Sequence, residues 1–330
     1  MNLETDYMGL KLAHPILPGA SPLVDKIDQV RRLEDAGAPA IVMHSLFEEQ
    51  IEMEQNARHY HRERHEESFG EATSYFPNDD EFALGPDEYL KQIQRIRDAV
   101  NLPVIGSLNG VRLGGWVDYA GMIQQAGASA LELNMYFLPT DPSESAADIE
   151  RRMLEIVRAV KSNLSIPLAI KLSPRFSSLP HFVQELDVIG VDGVILFNRF
   201  YQPDIDINSL EVTPSLELSH PSELRQRLRW LAILYGQAKA SLIASGGVHK
   251  TQDVVKAIMA GADGVQVVSS LLRFGPEHLQ TLIKGFSSWI EQNEYDSLRR
   301  LRGSMSLQRA PNPEALERAN YLRMLQVWRT

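Results

Sequence analysis

The sequence predicts a single (β/α)8 barrel of the α/β class, because it contains a repeated helix–glycine–strand pattern, eight strand–helix units and no linker between them. In the repeat, a helical stretch ends in a glycine and an apolar strand follows within a few residues. It occurs four times, at Gly37, Gly127, Gly190 and Gly261. Glycine adopts the left-handed conformation at no steric cost, so this pattern is typical of a helix end that leads into a buried parallel strand.

Eight apolar segments have the length of barrel strands. In chain order they are 15–18, 40–43, 104–108, 130–133, 168–173, 193–196, 242–247 and 264–267. The helical segments that alternate with them are 24–36, 86–100, 115–126, 144–163, 179–189, 221–240, 250–260 and 277–292. An open, doubly wound parallel sheet is the alternative, but it leaves the eightfold count unexplained.

Two long insertions and a tail are added to these units. The insertions, at about 46–85 and 199–220, follow strands 2 and 6 on the same face, where they can cover a ligand. We divide the chain into a barrel at 1–303 and a C-terminal extension at 304–330. A helix start at Asn312 predicts a helical extension that packs on the barrel or on a partner subunit. Its apolar stripe is Leu316, Ala319, Leu322, Leu325 and Val327.

The composition excludes several classes of function. The 330 residues include 43 acidic and 33 basic side chains, a formal net charge of −10, whereas a nucleic-acid surface requires clustered Lys and Arg. The chain has no cysteine, which excludes disulfides, thiolate metal sites and a cysteine nucleophile. It also has neither a secretory signal nor an apolar run of the roughly 20 residues that span a bilayer. We therefore expect a cytoplasmic homodimer that binds a small molecule and contacts neither nucleic acid nor membrane.

Polar or small residues follow almost every predicted strand, on the face where barrel enzymes place their chemistry. They are Ala20-Ser21, His44-Ser45, Ser107, Asn109, Asn134, Lys171, Ser173, Asn198, Gly246-Gly247 and Ser269-Ser270. The double glycine after strand 7, with the serines after strand 8, favours a phosphate site. The alternative is a tight turn in which Thr251 or Asp253 caps the next helix.

Lysine and asparagine side chains complete the candidate site. Lys171 is the only charged residue in its strand, so we expect it to point into the barrel mouth toward an anionic group, rather than to reach solvent from the strand end. Asn109, Asn134 and Asn198 both donate and accept, which suits a heterocycle with alternating C=O and N–H groups, although each alone could be a turn residue. The histidines at 59–65 lack the Glu of the zinc-protease pattern, so we predict no metal site.

These motifs resemble the FMN-dependent dihydroorotate dehydrogenases, in particular their soluble class 1 branch, over roughly residues 1–303. The resemblance is carried by Pro18-Gly19-Ala20-Ser21-Pro22, Phe76-Pro77-Asn78, Leu131-Glu132-Leu133-Asn134, Ile170-Lys171-Leu172-Ser173-Pro174, Phe197-Asn198, and Ser245-Gly246-Gly247-Val248 with Gln266. It implies that dihydroorotate is oxidised to orotate in pyrimidine biosynthesis, with a base taking the C5 proton while C6 delivers hydride to flavin N5.

The resemblance also implies roles for individual residues. Contacts with the flavin ring and ribityl chain would come from Ala20, Ser21, Ser45, Asn134 and Lys171. Asn109 is a further candidate because it follows its strand. The FMN phosphate would be held by Gly246, Gly247, Ser269 and Ser270. The substrate would be held by Asn78, Asn134 and Asn198.

The substrate side departs from the family pattern. The cysteine or serine base expected shortly after Asn134 is missing, and Tyr136 offers the one phenol where that base should be. His44 replaces a family lysine, Arg199 replaces a serine and Thr140 an asparagine. We therefore expect FMN binding to persist, Tyr136 or His44 to act as acid or base beside Lys171, and Arg199 to recognise an added anionic group.

Three functions remain open on the sequence. The first is an FMN oxidoreductase that acts on dihydroorotate or on a related reducible ring. The second is a module that binds FMN without turnover, and the third is a flavin-free aldolase or isomerase that uses Lys171 or phosphate recognition. Flavin content separates the third from the others, and reduction of the flavin by substrate separates the first from the second.

Overall fold

The computed structural model describes residues 2–54, 85–114, 116–199, 202–213, 216–317 and 325–326. Its strands are β1 (Thr5–Tyr7), β2 (Leu10–Leu12), β3 (Ile16–Pro18), β4 (Ile41–Val42), β5 (Leu46–Phe47), β6 (Val104–Asn109), β7 (Ala130–Asn134), β8 (Leu168–Leu172), β9 (Gly193–Leu196), β10 (Asp204–Asp206), β11 (Glu211–Thr213), β12 (Ser241–Ser245) and β13 (Gly264–Val267). Eight parallel strands form the main sheet in the order β3-β13-β12-β9-β8-β7-β6-β4, and β5 extends the pairing with β6. The ends β3 and β4 also contact each other, so the sheet nearly closes and the predicted (β/α)8 barrel is confirmed.

Helices surround the sheet and bury one apolar stripe each. Those that alternate with the barrel strands are Ile27–Asp35, Pro86–Ala99, Val117–Gln125, Ala146–Ser162, Leu179–Ile189, Leu224–Leu234, Thr251–Ala260 and His278–Gln292. In the longest, Ile156, Val157 and Val160 face the sheet at helical spacing and are fully buried. The left-handed glycines predicted at the helix ends are present, for example Gly190 with φ 88°.

A second core fills the barrel itself. Alternation along the strands turns every second residue inward, and Ile105, Ala169 and Ile243 meet there. The β1–β2 hairpin closes the end of the barrel where the strands begin, because Tyr7 packs among these side chains and the Met8 N–H donates to Ser241 Oγ at 3.2 Å. The sequence does not reveal this hairpin, since three-residue strands are too short to show a period.

Two boundaries differ from the sequence predictions. Strand β13 ends at Val267, and Ser269 and Ser270 begin a short helix, Ser269–Phe274, instead of ending strand 8. The tail forms a 3₁₀ turn at Pro313–Leu316, and the residues just before it bind the barrel, with the Leu307 N–H donating to Ala232 O at 2.9 Å. Most of the predicted apolar stripe after this turn lies outside the described residues.

The two insertions contain structure of their own. The first continues as a helical segment at 48–54, and 55–84 lie outside the description. The second holds the antiparallel hairpin β10–β11, and the 3₁₀ turn Pro221–Glu223 follows it. Across the ranges that the structure describes, no helix is both long and apolar enough to cross a membrane.

Candidate active site

A buried lysine lies at the carboxyl end of β8, inside the barrel mouth. Alternation places Lys171 on the inward face, two residues beyond Ala169 of the barrel core. Its side chain is buried, and Nζ lies 3.3 Å from Gln266 Oε1. Burial lowers the pKa of Lys171, and the neighbouring Glu132 carboxylate raises it in part. The cation is thus held beside a polar partner at the base of a cleft.

Beneath this lysine lies a fully buried glutamate. Glu132 Oε1 accepts hydrogen bonds from the Tyr7 hydroxyl at 3.0 Å and from the Gln266 amide. Burial raises the pKa of Glu132, while Lys171, Tyr7 and Gln266 each lower it in part. A carboxylate in the barrel core needs such partners, because transfer of an unpaired charge from water is costly.

The amide of Asn134 joins three strand ends on the other side of Lys171. Asn134 pairs in register with Lys171, and its Nδ2 donates to Ser45 Oγ at 3.0 Å and to Ser107 Oγ at 2.9 Å. The hydroxyl of Tyr89 fixes the Ser107 backbone by donating to its carbonyl at 2.9 Å. Because Nδ2 is used in this way, Asn134 can offer a ligand its Oδ1, which is an acceptor.

One cleft is lined both by Lys171 and by the residues that follow β12 and β13. Its polar and small lining residues are Ala20, Ser21, Lys171, Asn198, Arg199, Ser219, Ser245, Gly246, Gly247, Gln266 and Ser269, and its apolar lining residues are Pro22, Phe197, Leu216, Leu218, Val248, Val268 and Leu272. The cleft therefore brings together the candidates from strands 1, 5, 6, 7 and 8, while the Asn134 cluster flanks it at strands 2 to 4.

Two glycines shape one corner of the cleft. Gly246 and Gly247 have φ of 92° and 81°, and a Cβ on Gly247 would lie 2.5 Å from the backbone nitrogen of Leu224. The Gly247 N–H points at Ser219 Oγ at 3.2 Å, and the Ser219 N–H at Ser269 Oγ at 2.9 Å. Two glycines and two serine hydroxyls thus meet in one corner of the cleft, and a phosphate group that replaces their internal hydrogen bonds would find donors there.

Two arginines share one glutamate beside this corner. Arg199 Nη2 lies 3.7 Å from Glu223 Oε1, and the buried Arg227 places Nη2 3.8 Å from Glu223 Oε2. Arg227 also donates from Nε to Ser245 O at 2.9 Å, so it supports the strand that leads to the glycines. With two guanidinium groups against one carboxylate, this wall of the cleft carries net positive charge.

A histidine–aspartate pair lies at the end of strand 2. His44 Nδ1 is 2.7 Å from Asp25 Oδ1, and the imidazole meets the Tyr89 ring edge-on at a centroid distance of 5.2 Å. Both side chains of the pair are about four-fifths buried, with 18% and 22% exposed. The Asp25 carboxylate thus lies on the Nδ1 side of the ring, and Nε2 is the nitrogen on the other side.

The remaining predicted residues are dispersed. Tyr136 is half-buried two residues beyond Asn134, while the next ring, Phe137, lies 4.6 Å from the Arg152 guanidinium on the helical layer. Asn109 is buried opposite Asn134, and Ser270 Oγ donates to Val248 O at 3.2 Å.

Two predictions from the strand-2 insertion fall outside the description. Asn78 and the histidines at 59–65 lie in a part of the chain that the structure leaves out. The residues that it does describe contain no group of three or more His, Asp or Glu side chains able to hold a metal.

Sequence reasoning missed several members of the site. They are Asp25, Glu132, Ser219 and Arg227. Glu132 carries a readable signal, because it precedes Asn134 by two residues and therefore shares its inward face. The other three lie in loops or on a helix, where no strand alternation marks the inward side.

Comparison of the sequence with known proteins identifies the family of this chain. The sequence model of the dihydroorotate dehydrogenase family matches residues 82–290. The chain belongs to the dihydroorotate dehydrogenase family. Members are flavin-dependent oxidoreductases that act on CH–CH bonds, so this chain is an oxidoreductase of that type.

Three relatives within this family illustrate its range. The chain is 28% identical to a putative dihydroorotate dehydrogenase A (fumarate) from Aeropyrum pernix, over 66% of this chain and 72% of the relative. It is 24% identical to the dihydroorotate dehydrogenase B (NAD(+)) catalytic subunit of Methanocaldococcus jannaschii, over 88% and 94%. It is 22% identical to the NAD-dependent dihydropyrimidine dehydrogenase subunit PreA of Escherichia coli, over 92% and 76%.

Proposed function

We propose that this chain binds FMN and oxidises dihydroorotate, or a closely related ring that carries an anionic group. The observation that carries the proposal is the cleft itself, which is lined by both a buried lysine and a double-glycine corner. The fold and the family make the reaction an oxidation of a CH–CH bond, and the cleft supports the choice of cofactor and substrate. A module that binds FMN without turnover is the alternative that the experiment below separates.

The residues present fit FMN. The corner that suits the phosphate is lined by Gly246, Gly247 and Ser269, and we assign Ser270, the next residue after Ser269, to the same group. Lys171, Ala20 and Ser21 line the part of the cleft that suits the ring, with Ser45, Asn109 and Asn134 beside it. When bound, FMN supplies a two-electron acceptor for the hydride. Lys171 supplies a positive charge that stabilises the negative charge developing on reduction.

The positive wall of the cleft favours an anionic substrate. Arg199 is the partly exposed member of its arginine pair, and it follows Asn198 directly at the end of strand 6. We assign Asn78, Asn134, Asn198 and Arg199 to substrate binding. An added carboxylate fits this charge better than the uncharged ring of a simple dihydropyrimidine, so the expected reaction is dihydroorotate to orotate, a step of pyrimidine biosynthesis.

A base must take one proton from the substrate carbon next to the carbon that loses hydride. We assign this role to Nε2 of His44 in preference to the hydroxyl of Tyr136. The support is geometric, because the Asp25 carboxylate lies 2.7 Å from Nδ1, where a negative group offsets the positive charge that a general base gains.

An anaerobic titration of the FMN-reconstituted protein with dihydroorotate tests the proposed function. Bleaching of the visible flavin band supports both the cofactor and the substrate. A flavin that binds but is not bleached contradicts dihydroorotate as the substrate and leaves another ring or a module without turnover. Protein that takes up no FMN contradicts the flavoprotein itself.

Replacement of Arg199 by methionine should raise the KM for dihydroorotate about 10- to 100-fold, because a charge-assisted hydrogen bond to a carboxylate is worth about 1.5–3 kcal/mol. The measurement is steady-state kinetics together with FMN affinity. Arg225→Met, on the exposed side of the helix Leu224–Leu234, is the matched control and should leave KM unchanged. A weaker affinity for FMN with an unchanged KM would move Arg199 to the cofactor.

We further propose that the chain is a cytoplasmic homodimer and that the β10–β11 hairpin takes part in the contact. Ile205 and Val212 lie opposite each other in this hairpin, and both are about two-thirds exposed. An isolated two-stranded hairpin is marginal in water, so a partner that covers these side chains stabilises it. Analytical ultracentrifugation of the wild type should give twice the chain mass. Val212→Glu should lower this mass toward that of one chain, and a wild-type monomer would contradict the dimer.

A further inference from the structure

A line of buried polar groups runs from the cleft to the closed end of the barrel. Lys171 Nζ lies 3.3 Å from Gln266 Oε1, and Gln266 Nε2 donates to Glu132 Oε1. The hydroxyl of Tyr7, in the N-terminal hairpin, donates to the same Glu132 oxygen at 3.0 Å. All four side chains are buried, three of them at 1% exposure or less.

The strand register places the glutamate one layer below the lysine. Asn134 pairs with Lys171, whereas Glu132 pairs with Ala169 on the same two strands. The small side chain of Ala169 leaves the space under Lys171 to the carboxyl group of its neighbour. The negative charge of Glu132 therefore lies toward the barrel axis beneath Lys171, on the side away from the cleft.

Glu132 also determines which way the Gln266 amide faces. An ionised carboxylate only accepts, so it binds the Nε2 end of the amide and leaves Oε1 directed at the ammonium. A neutral amide at position 132 could pair with either end of Gln266. The carboxylate thus acts on Lys171 twice, by its charge and by the orientation of Gln266.

This arrangement is not the most stable way to fill a barrel core. Both donors bind Glu132 Oε1, and Oε2 has no hydrogen-bond partner among the described residues. A buried acceptor without a donor is destabilising, and apolar replacements of buried charge pairs are often neutral or stabilising. Packing stability alone therefore gives little reason for a charged group at this position.

We infer that Glu132 is a positioning residue, which keeps Lys171 cationic and directed toward the cleft through Gln266. Burial by itself lowers the pKa of Lys171, and the carboxylate opposes that effect. The other titratable groups nearby are the phenols of Tyr7 and Tyr89, whose pKa values are raised by burial, so both stay neutral. The charge state of Lys171 can be measured without cofactor, and only its effect on the flavin rests on the proposed function.

The test uses the apoprotein and the variant Glu132→Gln. Competitive acetylation with acetic anhydride over a pH series, read by mass spectrometry of the peptide that contains Lys171, gives the pH at which this amine becomes reactive. We expect the midpoint to fall by about 1–3 pH units in Glu132→Gln, because a close opposite charge shifts a pKa by that amount. An unchanged midpoint overturns the inference.

Glu48→Gln is the matched control, since Glu48 is also buried and accepts from the Val111 N–H at 2.8 Å, outside this network. In Glu48→Gln, the pH midpoint for acetylation of Lys171 should equal that of wild type. If Glu132→Gln does not fold, Gln266→Leu replaces it. This variant removes the amide that connects Glu132 to Lys171 but keeps the carboxylate, so the Lys171 midpoint should fall by a smaller amount. An unchanged Lys171 midpoint in Gln266→Leu then overturns the inference that Glu132 acts through Gln266.

The holoprotein gives a second, independent readout. At a pH between the Lys171 midpoints of wild type and Glu132→Gln, the variant has lost the cation, so its bound flavin should be harder to reduce and its midpoint potential more negative, while Glu48→Gln leaves the potential in place. If no variant or wild type takes up FMN, the proposed cofactor is wrong and the acetylation result still stands. If FMN binds and neither the potential nor the Lys171 midpoint moves, the role of Glu132 is wrong and the proposed function is untouched.

Discussion

Replacing Lys171 with methionine should slow the reduction of bound flavin by substrate about 10²- to 10³-fold, while FMN affinity changes far less. Removal of one preorganised donor from a buried, charge-stabilising site costs rates of this order. Lys171 is buried at the cleft, and its Nζ lies 3.3 Å from Gln266 Oε1. Stopped-flow absorbance under anaerobic conditions measures the reduction rate, and fluorescence quenching measures FMN binding.

Two further variants distinguish the loss of the positive charge at Lys171 from the cost of leaving Glu132 buried without a cation. Lys171→Met leaves Glu132 buried without its cation, so the double variant Lys171→Met/Glu132→Gln removes both charges and should recover stability but not rate. Lys171→Arg keeps the charge with a different geometry and should reduce flavin faster than Lys171→Met. Equal rates in Lys171→Met and wild type would refute the proposed role of the lysine.

The barrel and the floor of its site could be predicted from the sequence because their signals are periodic. Glycine at a helix end followed by an apolar strand recurs at Gly127 and Gly261, and the structure has a strand directly after each. Alternation along β8 then fixes Lys171 on the inward face. These signals are local, so they can be read from the sequence without knowing which strands become neighbours.

Contacts between distant segments could not be predicted in this way. Asp25 and His44 meet across the mouth although they belong to different strand–loop units, and Tyr7 reaches Glu132 from a hairpin outside the barrel repeat. Arg199 pairs with Glu223 because the second insertion folds back to the start of a helix. Each of these pairs depends on loop paths, for which neither hydrophobic period nor strand alternation carries information.

The last prediction concerns the proton that the substrate must lose. His44→Asn should slow flavin reduction by dihydroorotate about 10²- to 10⁴-fold with FMN still bound, because general-base catalysis contributes that much. Asp25→Asn should slow the same step by less, since it removes the carboxylate 2.7 Å from Nδ1 but leaves the imidazole. Anaerobic stopped-flow reduction measures all variants under one set of conditions.

Tyr136→Phe is the decisive comparison for this assignment. It removes only the hydroxyl of the other candidate base, and the half-buried ring keeps its volume. If His44 is the base, Tyr136→Phe reduces flavin within about tenfold of wild type, whereas His44→Asn does not. The reverse pattern would make the phenol the base and leave the His44–Asp25 pair as a structural contact on Tyr89. Because the family's cysteine or serine is missing shortly after Asn134, we assign the proton acceptor for oxidation of dihydroorotate to one of these two side chains.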